Sequence, residues 1–137
     1  AGGAAAAAVY ALQSLDMEVT ILNRTVEKAA SLAERFDCAY GPSSAFDRLN
    51  PAVVVNATSI GMEPELKSPL QKHQLRSSMT VFDLVYTPPE TPLLRIARNS
   101  GCQTIPGTEM FVRQAAAQFR HFTGIAPSLE LVRSAME

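Results

Sequence analysis

Three short apolar runs recur along this chain: Glu18 to Leu22 (EVTIL), Ala52 to Asn56 (AVVVN) and Met79 to Leu84 (MTVFDL). They are nearly continuous rather than alternating, the pattern of strands buried on both faces. Cys102 to Ile105 reads as another strand, and Cys38 to Tyr40 as a short one. Helix-compatible segments lie between them. Ala29, Leu32, Ala33 and Phe36 fall at i, i+3, i+4 and i+7, one apolar helical face that Thr25 can cap. Gly41 to Ser44 reads as a turn and a helix start, and Thr58 to Pro69 as a loop. A helix from Thr91 to Ser100 has Pro92 in its first turn and Gly101 at its end. Glu109 to Phe122 forms a longer helix, with Phe111, Ala115, Phe119 and Phe122 as its core stripe and Gly124 after it. Ser128 to Met136 forms the last one. Strands alternating with helices predict an α/β domain with a parallel sheet covered on both faces.

The charge balance narrows the function. Twelve Lys and Arg stand against thirteen Asp and Glu, a net charge of −1. That predicts no nucleic-acid partner and no membrane partner, and a basic site can only be local. No apolar run approaches the ~20 residues of a membrane span. Cys38 and Cys102 lie far apart with no metal-ligand spacing, so reduced core thiols are expected and no metal site.

Five segments carry chemistry. Gly2-Gly3 opens a helix, where small residues and unsatisfied N–H groups suit a pyrophosphate. A glycine turn is also often only a turn. Asn23-Arg24-Thr25 ends the EVTIL strand about twenty residues later, where a dinucleotide enzyme reads the ribose. There is no acidic residue there, so Arg24 is placed to meet a 2′-phosphate, with Asn23, Thr25 and Lys28 beside it. The plain alternative is a solvated Arg24 and a capping Thr25.

The third segment, Asn56 to Met62, follows the AVVVN strand. It reads equally as a ligand loop containing Thr58 and Ser59 and as a polar turn with Gly61 at positive φ. The fourth, Asp83 to Pro88, places the Tyr86 phenol near a cleft, although such tyrosines are often packing residues. Asp83 is expected to satisfy loop N–H groups. In the fifth, Gly107 to Gln114, Met110 and Gln114 share one flank of the long helix, which on its own reads as helix edge.

In this order the five segments resemble the C-terminal NADP-binding domain of the shikimate dehydrogenases, over nearly the whole chain. The family's glycine turn is matched by Ala1-Gly2-Gly3-Ala4, without its first glycine. Its N-R-T motif is matched by Asn23 to Thr25, and its N-[AT]-T-x-x-G-M motif by Asn56 to Met62. Its D-x-x-Y-x-P motif and following T-P-L-L are matched by Asp83 to Pro88 and Thr91 to Leu94. Its G-x-x-M-x-x-x-Q is matched by Gly107, Met110 and Gln114. The tail from Phe122 is similar to the type fused to a dehydroquinate dehydratase.

The resemblance implies a Rossmann-like, doubly wound parallel sheet whose first strand is missing from this chain, residues 1–137 being the cofactor domain. It implies NADP as cofactor, held by Ala1, Gly2, Gly3, Ala4, Asn23, Arg24, Thr25, Lys28, Asn56, Thr58, Ser59, Met62, Leu84, Gly107 and Met110. It implies shikimate or 3-dehydroshikimate against Tyr86 and Gln114. The family's acid–base Lys and Asp belong to an N-terminal substrate domain, so no catalytic residue is expected in this chain. One departure is Ala6, where the family often carries a basic residue. Cytoplasm is the implied location, or the plastid in a plant. The competing readings are an NAD-using quinate/shikimate dehydrogenase, which Arg24 opposes, and a non-catalytic nucleotide-binding regulator of the same fold. A third is an α/β domain that binds nothing.

Overall fold

The computed structural model describes residues 2–135. Ala1, and the Met136 expected to end the last helix, lie outside them. The described residues form five α-helices and five strands, in the order α1 Gly3–Gln13, β1 Thr20–Asn23, α2 Val26–Phe36, β2 Ala39–Pro42, β3 Val53–Asn56, β4 Thr80–Asp83, α3 Pro92–Asn99, β5 Gln103–Ile105, α4 Gly107–Thr123 and α5 Leu129–Ser134. Ser43–Arg48 and Lys72–Gln74 are short 3₁₀ turns.

Every strand pair is parallel, as continuous apolar strands joined by helices require. The strands form two sheets, however, β1-β2 and β3-β4-β5. Among the described residues no strand bridges β1 and β3. The expected second strand is also shifted. It starts at Ala39 and runs through Gly41 and Pro42, because Thr20 to Asn23 pair in register with Ala39 to Pro42.

Both faces of β1 are covered, because successive strand residues point to opposite sides. Ile21 joins Val9 of α1 and Ala29, Leu32 and Ala33 of α2 in one core cluster. Its neighbour Leu22 packs against the other cluster, built on Phe46, Met79, Val81, Leu93, Ala97 and Cys102. The α2 face read from spacing is therefore a core face. Leu93 and Leu94 of α3 are almost fully buried. Each such side chain stabilises the fold by roughly 1.5–3 kcal/mol relative to exposure. Burial pushes both thiols up, Cys38 further through Asp37, so both are poor nucleophiles.

Two expectations about helices fail. Thr25 occupies the N-cap of α2, but its side chain makes no capping hydrogen bond. On α4 the anticipated core stripe is largely outside: Phe119 is 47% and Phe122 82% exposed, whereas Val112 is 3% exposed. The main helix packed on α4 among the described residues is the short α5, and Phe119 and Phe122 stay exposed. Arg133 of α5 reaches back to Glu109 at 2.8 Å, an exposed pair of small energetic weight. No helix among the described residues is long and apolar enough to cross a membrane.

Candidate functional site

The polar residues singled out from the sequence gather where strands end and helices begin. Gly2 is the extended N-cap of α1, and no side chain caps this helix end. A Cβ placed on Gly2 or Gly3 would meet nothing within 4 Å. Packing therefore does not demand glycine at either position, and the first N–H groups of α1 have no side-chain cap. Val9 is the one buried residue of α1, while Ala5 and Ala6 pack partly against the core.

Asn23 is the last residue of β1, and Arg24 and Thr25 form the exposed link to α2. Lys28 lies in the first turn of α2. It shares with Gly2 an open hollow of about 600 Å³, also lined by Glu27, Ser31, Leu32 and Arg35. Among the described residues neither Arg24 nor Lys28 forms an ion pair. Lys28 and Arg35 against the single carboxylate of Glu27, beside an uncapped helix N-terminus, make a local positive site on a chain of nearly balanced charge. Ser31 and Arg35 were not anticipated. The signal was present, since Lys28, Ser31 and Arg35 fall at i, i+3 and i+7 on the polar side of α2.

A second group forms at the ends of β3 and β4. Asn56 and Asp83 are register partners across the two strands, which brings their side chains together. Asn56 Nδ2 donates to Asp83 Oδ1 at 2.8 Å and to the Ile60 carbonyl at 3.1 Å. Its Oδ1 accepts from the Thr58 hydroxyl at 2.7 Å and the Thr58 N–H at 3.2 Å. Every hydrogen-bonding position of this amide is thus in use, and Asn56 is 4% exposed. These bonds give the Asn56 side chain a structural part beside the ligand contact expected of it. Its side chain shapes the loop, while Thr58, Ser59 and Met62 are exposed upon it. Gly61 holds φ at +108°, so the turn reading of this segment is also met.

Asp83 is fully buried and faces no cation among the described residues. Its carboxylate accepts from Asn56, from the Val85 N–H at 3.1 Å and from the Thr91 hydroxyl at 2.6 Å. Thr91 is the N-cap of α3, and its hydroxyl accepts in turn from the Leu94 N–H at 3.2 Å. The carboxylate therefore lies against a helix N-terminus, which favours negative charge. Burial still raises its pKa, with the hydrogen bonds from Thr91, Val85 and Asn56 pulling the other way. The structural place expected for Asp83 is the one observed. Thr91 as its partner was not foreseen, although Thr-Pro at a helix start is a capping signature.

The third group joins β4 to α4. A Cβ on Gly107 would lie 2.6 Å from the Val85 carbonyl carbon and 2.8 Å from that of Leu84. Only glycine lets the start of α4 come this close to the strand end. Leu84 is anchored by its own N–H to the Asn56 carbonyl at 3.0 Å. Tyr86 is 42% exposed, and its ring stacks on Phe111. Phe111 was read as core, so its part in holding Tyr86 went unseen. Met110 is half-buried and Gln114 exposed on the same helix. No cluster of His, Cys, Asp and Glu suited to a metal occurs among the described residues.

A family model for the shikimate 5′-dehydrogenase C-terminal domain matches residues 107–137. A shikimate dehydrogenase (NADP(+)) of Methanocella arvoryzae is 45% identical over 146 residues, covering 100% of this chain and 54% of that protein. The solved quinate dehydrogenase of Corynebacterium glutamicum in complex with NAD superposes with a TM-score of 0.92 at 31% identity, over 99% of this chain and 52% of that one. The shikimate 5-dehydrogenase of Thermus thermophilus, in complex with NADP(H) and shikimate, gives 0.88 at 34% identity, over 98% and 51%. The chain spans about half the length of the relatives it matches. The chain is thus similar to the shikimate dehydrogenases over nearly its whole length, and its residues 107–137 match the C-terminal domain of that family.

Proposed function

We propose that this chain is the cofactor domain of an NADP-dependent shikimate dehydrogenase, which reversibly reduces 3-dehydroshikimate to shikimate. The observation that carries the reading is the uncapped, glycine-opened start of α1, whose Gly2 shares a hollow with Lys28 and Arg35. In it, Gly2, Gly3 and Ala4 leave room for a pyrophosphate on the helix N-terminus. Arg24 grips the 2′-phosphate as a fork of donors, with Asn23, Thr25 and Lys28 assisting. Thr58, Ser59 and Met62 line the nucleoside path. Leu84, Gly107 and Met110 border the nicotinamide, and Tyr86 and Gln114 hold the substrate.

NADP, when bound, supplies the hydride for the keto group. No described side chain of this chain is assigned the accompanying proton. That role falls to the substrate domain that the family resemblance implies. A second reading, with NAD as cofactor, has the quinate dehydrogenase likeness in its favour and Arg24 against it.

The test uses the full-length protein. Reduction of 3-dehydroshikimate with NADPH is expected, and absence of turnover in both directions would overturn the activity. Arg24→Ala is expected to weaken NADPH far more than NADH. Equal weakening of both would refute the 2′-phosphate role.

A further inference from the structure

We propose that Asp83 is a positioning residue that sets the cofactor loop after β3 and the substrate loop after β4 together, through one buried carboxylate. This rests on the proposed function, in which those loops border cofactor and substrate. Oδ1 of Asp83 takes two donors of different loops: the Asn56 amide, which holds Thr58, and the Val85 N–H, the backbone next to Tyr86. Oδ2 takes the Thr91 hydroxyl and so fixes both loops to the start of α3. The in-register pairing of Asn56 with Asp83 makes the link between neighbouring strands direct.

The chemistry requires a carboxylate. Three donors converge on two oxygens, and an ionised Asp is acceptor-only. An amide in its place offers one oxygen. With that oxygen toward Asn56 and Val85, its NH₂ faces Thr91, and the Thr91 hydroxyl proton loses its acceptor. Turned over, its NH₂ opposes two donors. Either orientation leaves a mismatch in a site closed to water, the costly case for a buried polar group. The side chain's size is preserved, so the two loops, rather than the core packing, take up the mismatch.

A role confined to the fold would move stability alone. The experiment measures three quantities on full-length Asp83→Asn: the melting temperature, the NADPH Kd by calorimetry, and the shikimate KM and kcat. The expected result is a protein folded at the assay temperature. NADPH Kd and shikimate KM both rise about tenfold, and kcat stays within threefold. Both constants within twofold of the parent, with only the melting temperature lowered, would overturn the proposal and leave the functional reading intact. A parent protein that neither binds NADPH nor oxidises shikimate would overturn both. If Asp83→Asn does not fold, Thr91→Val removes the donor from Oδ2. The same paired rise is expected there, and unchanged constants would again overturn the proposal.

Discussion

The ring of Tyr86 lies on the ring of Phe111, centroids 4.6 Å apart and planes 24° from parallel. One residue comes from the end of a strand and the other from the second turn of a helix. The pair therefore holds one face of a half-exposed phenol. Such stacking contributes about 0.5–1.5 kcal/mol beyond simple burial. Phe111→Leu keeps the apolar bulk and removes the stack. Steady-state kinetics are expected to show shikimate KM rising about two- to tenfold, with NADPH affinity unchanged. A shift in NADPH affinity alone would count against Tyr86 as the substrate contact.

Gly107→Ala is expected to destabilise the fold. The new methyl group meets the Leu84 and Val85 backbone, which cannot swing aside as a side-chain tip can. Overpacking of this kind costs about 1–3 kcal/mol. Urea unfolding of the full-length protein measures it, and a change under about 0.5 kcal/mol would refute the close packing.

Thr25→Ala separates capping from binding. An N-cap threonine replaced by alanine typically costs about 1 kcal/mol. Here the side chain makes no capping bond. Stability is expected to stay within about 0.5 kcal/mol, while NADPH binding weakens. Loss of stability with unchanged NADPH Kd would assign Thr25 to the helix instead.

Asp83 gives the fold a pH dependence of defined sign. Burial raises its folded-state pKa above the ordinary carboxylate value, about 3.9 in an unfolded chain. The folded state thus holds the proton more tightly, and the stability gained is full below the unfolded pKa. It is lost as pH rises through the raised folded pKa. Asp83→Asn cannot titrate there. Urea unfolding at stepped pH is expected to show the parent gaining on the variant as pH falls through that window. The opposite slope would mean that the hydrogen bonds outweigh burial.

Features set by local chemistry were legible in the sequence. Thr91-Pro92 marked the start of α3, Gly124 the end of α4, and the Ala29–Leu32–Ala33 spacing a buried face. The strand-end positions of Asn23, Asn56 and Asp83 were equally visible, because strand ends can be read from where apolar runs stop. What stayed hidden depends on which partner a side chain finds. The sequence shows Asn56 at a strand end, but not that its amide bonds its register partner Asp83. Phe119 and Phe122 have the spacing of a core stripe, yet periodicity shows only that a helix has an apolar face. It does not show that this chain covers that face.

Among the described residues β1 bonds only to β2, and β3 only to β4. Each therefore keeps one rim of unpaired backbone donors and acceptors among the described residues. On β3 that rim belongs to Val53, Val54 and Val55, half-buried and uncharged, with neither proline nor lysine to discourage pairing. Rims of this composition template further strands. Wherever they are left bare, in a proteolytic fragment or an expressed piece, clumping rather than a soluble monomer is the expected fate.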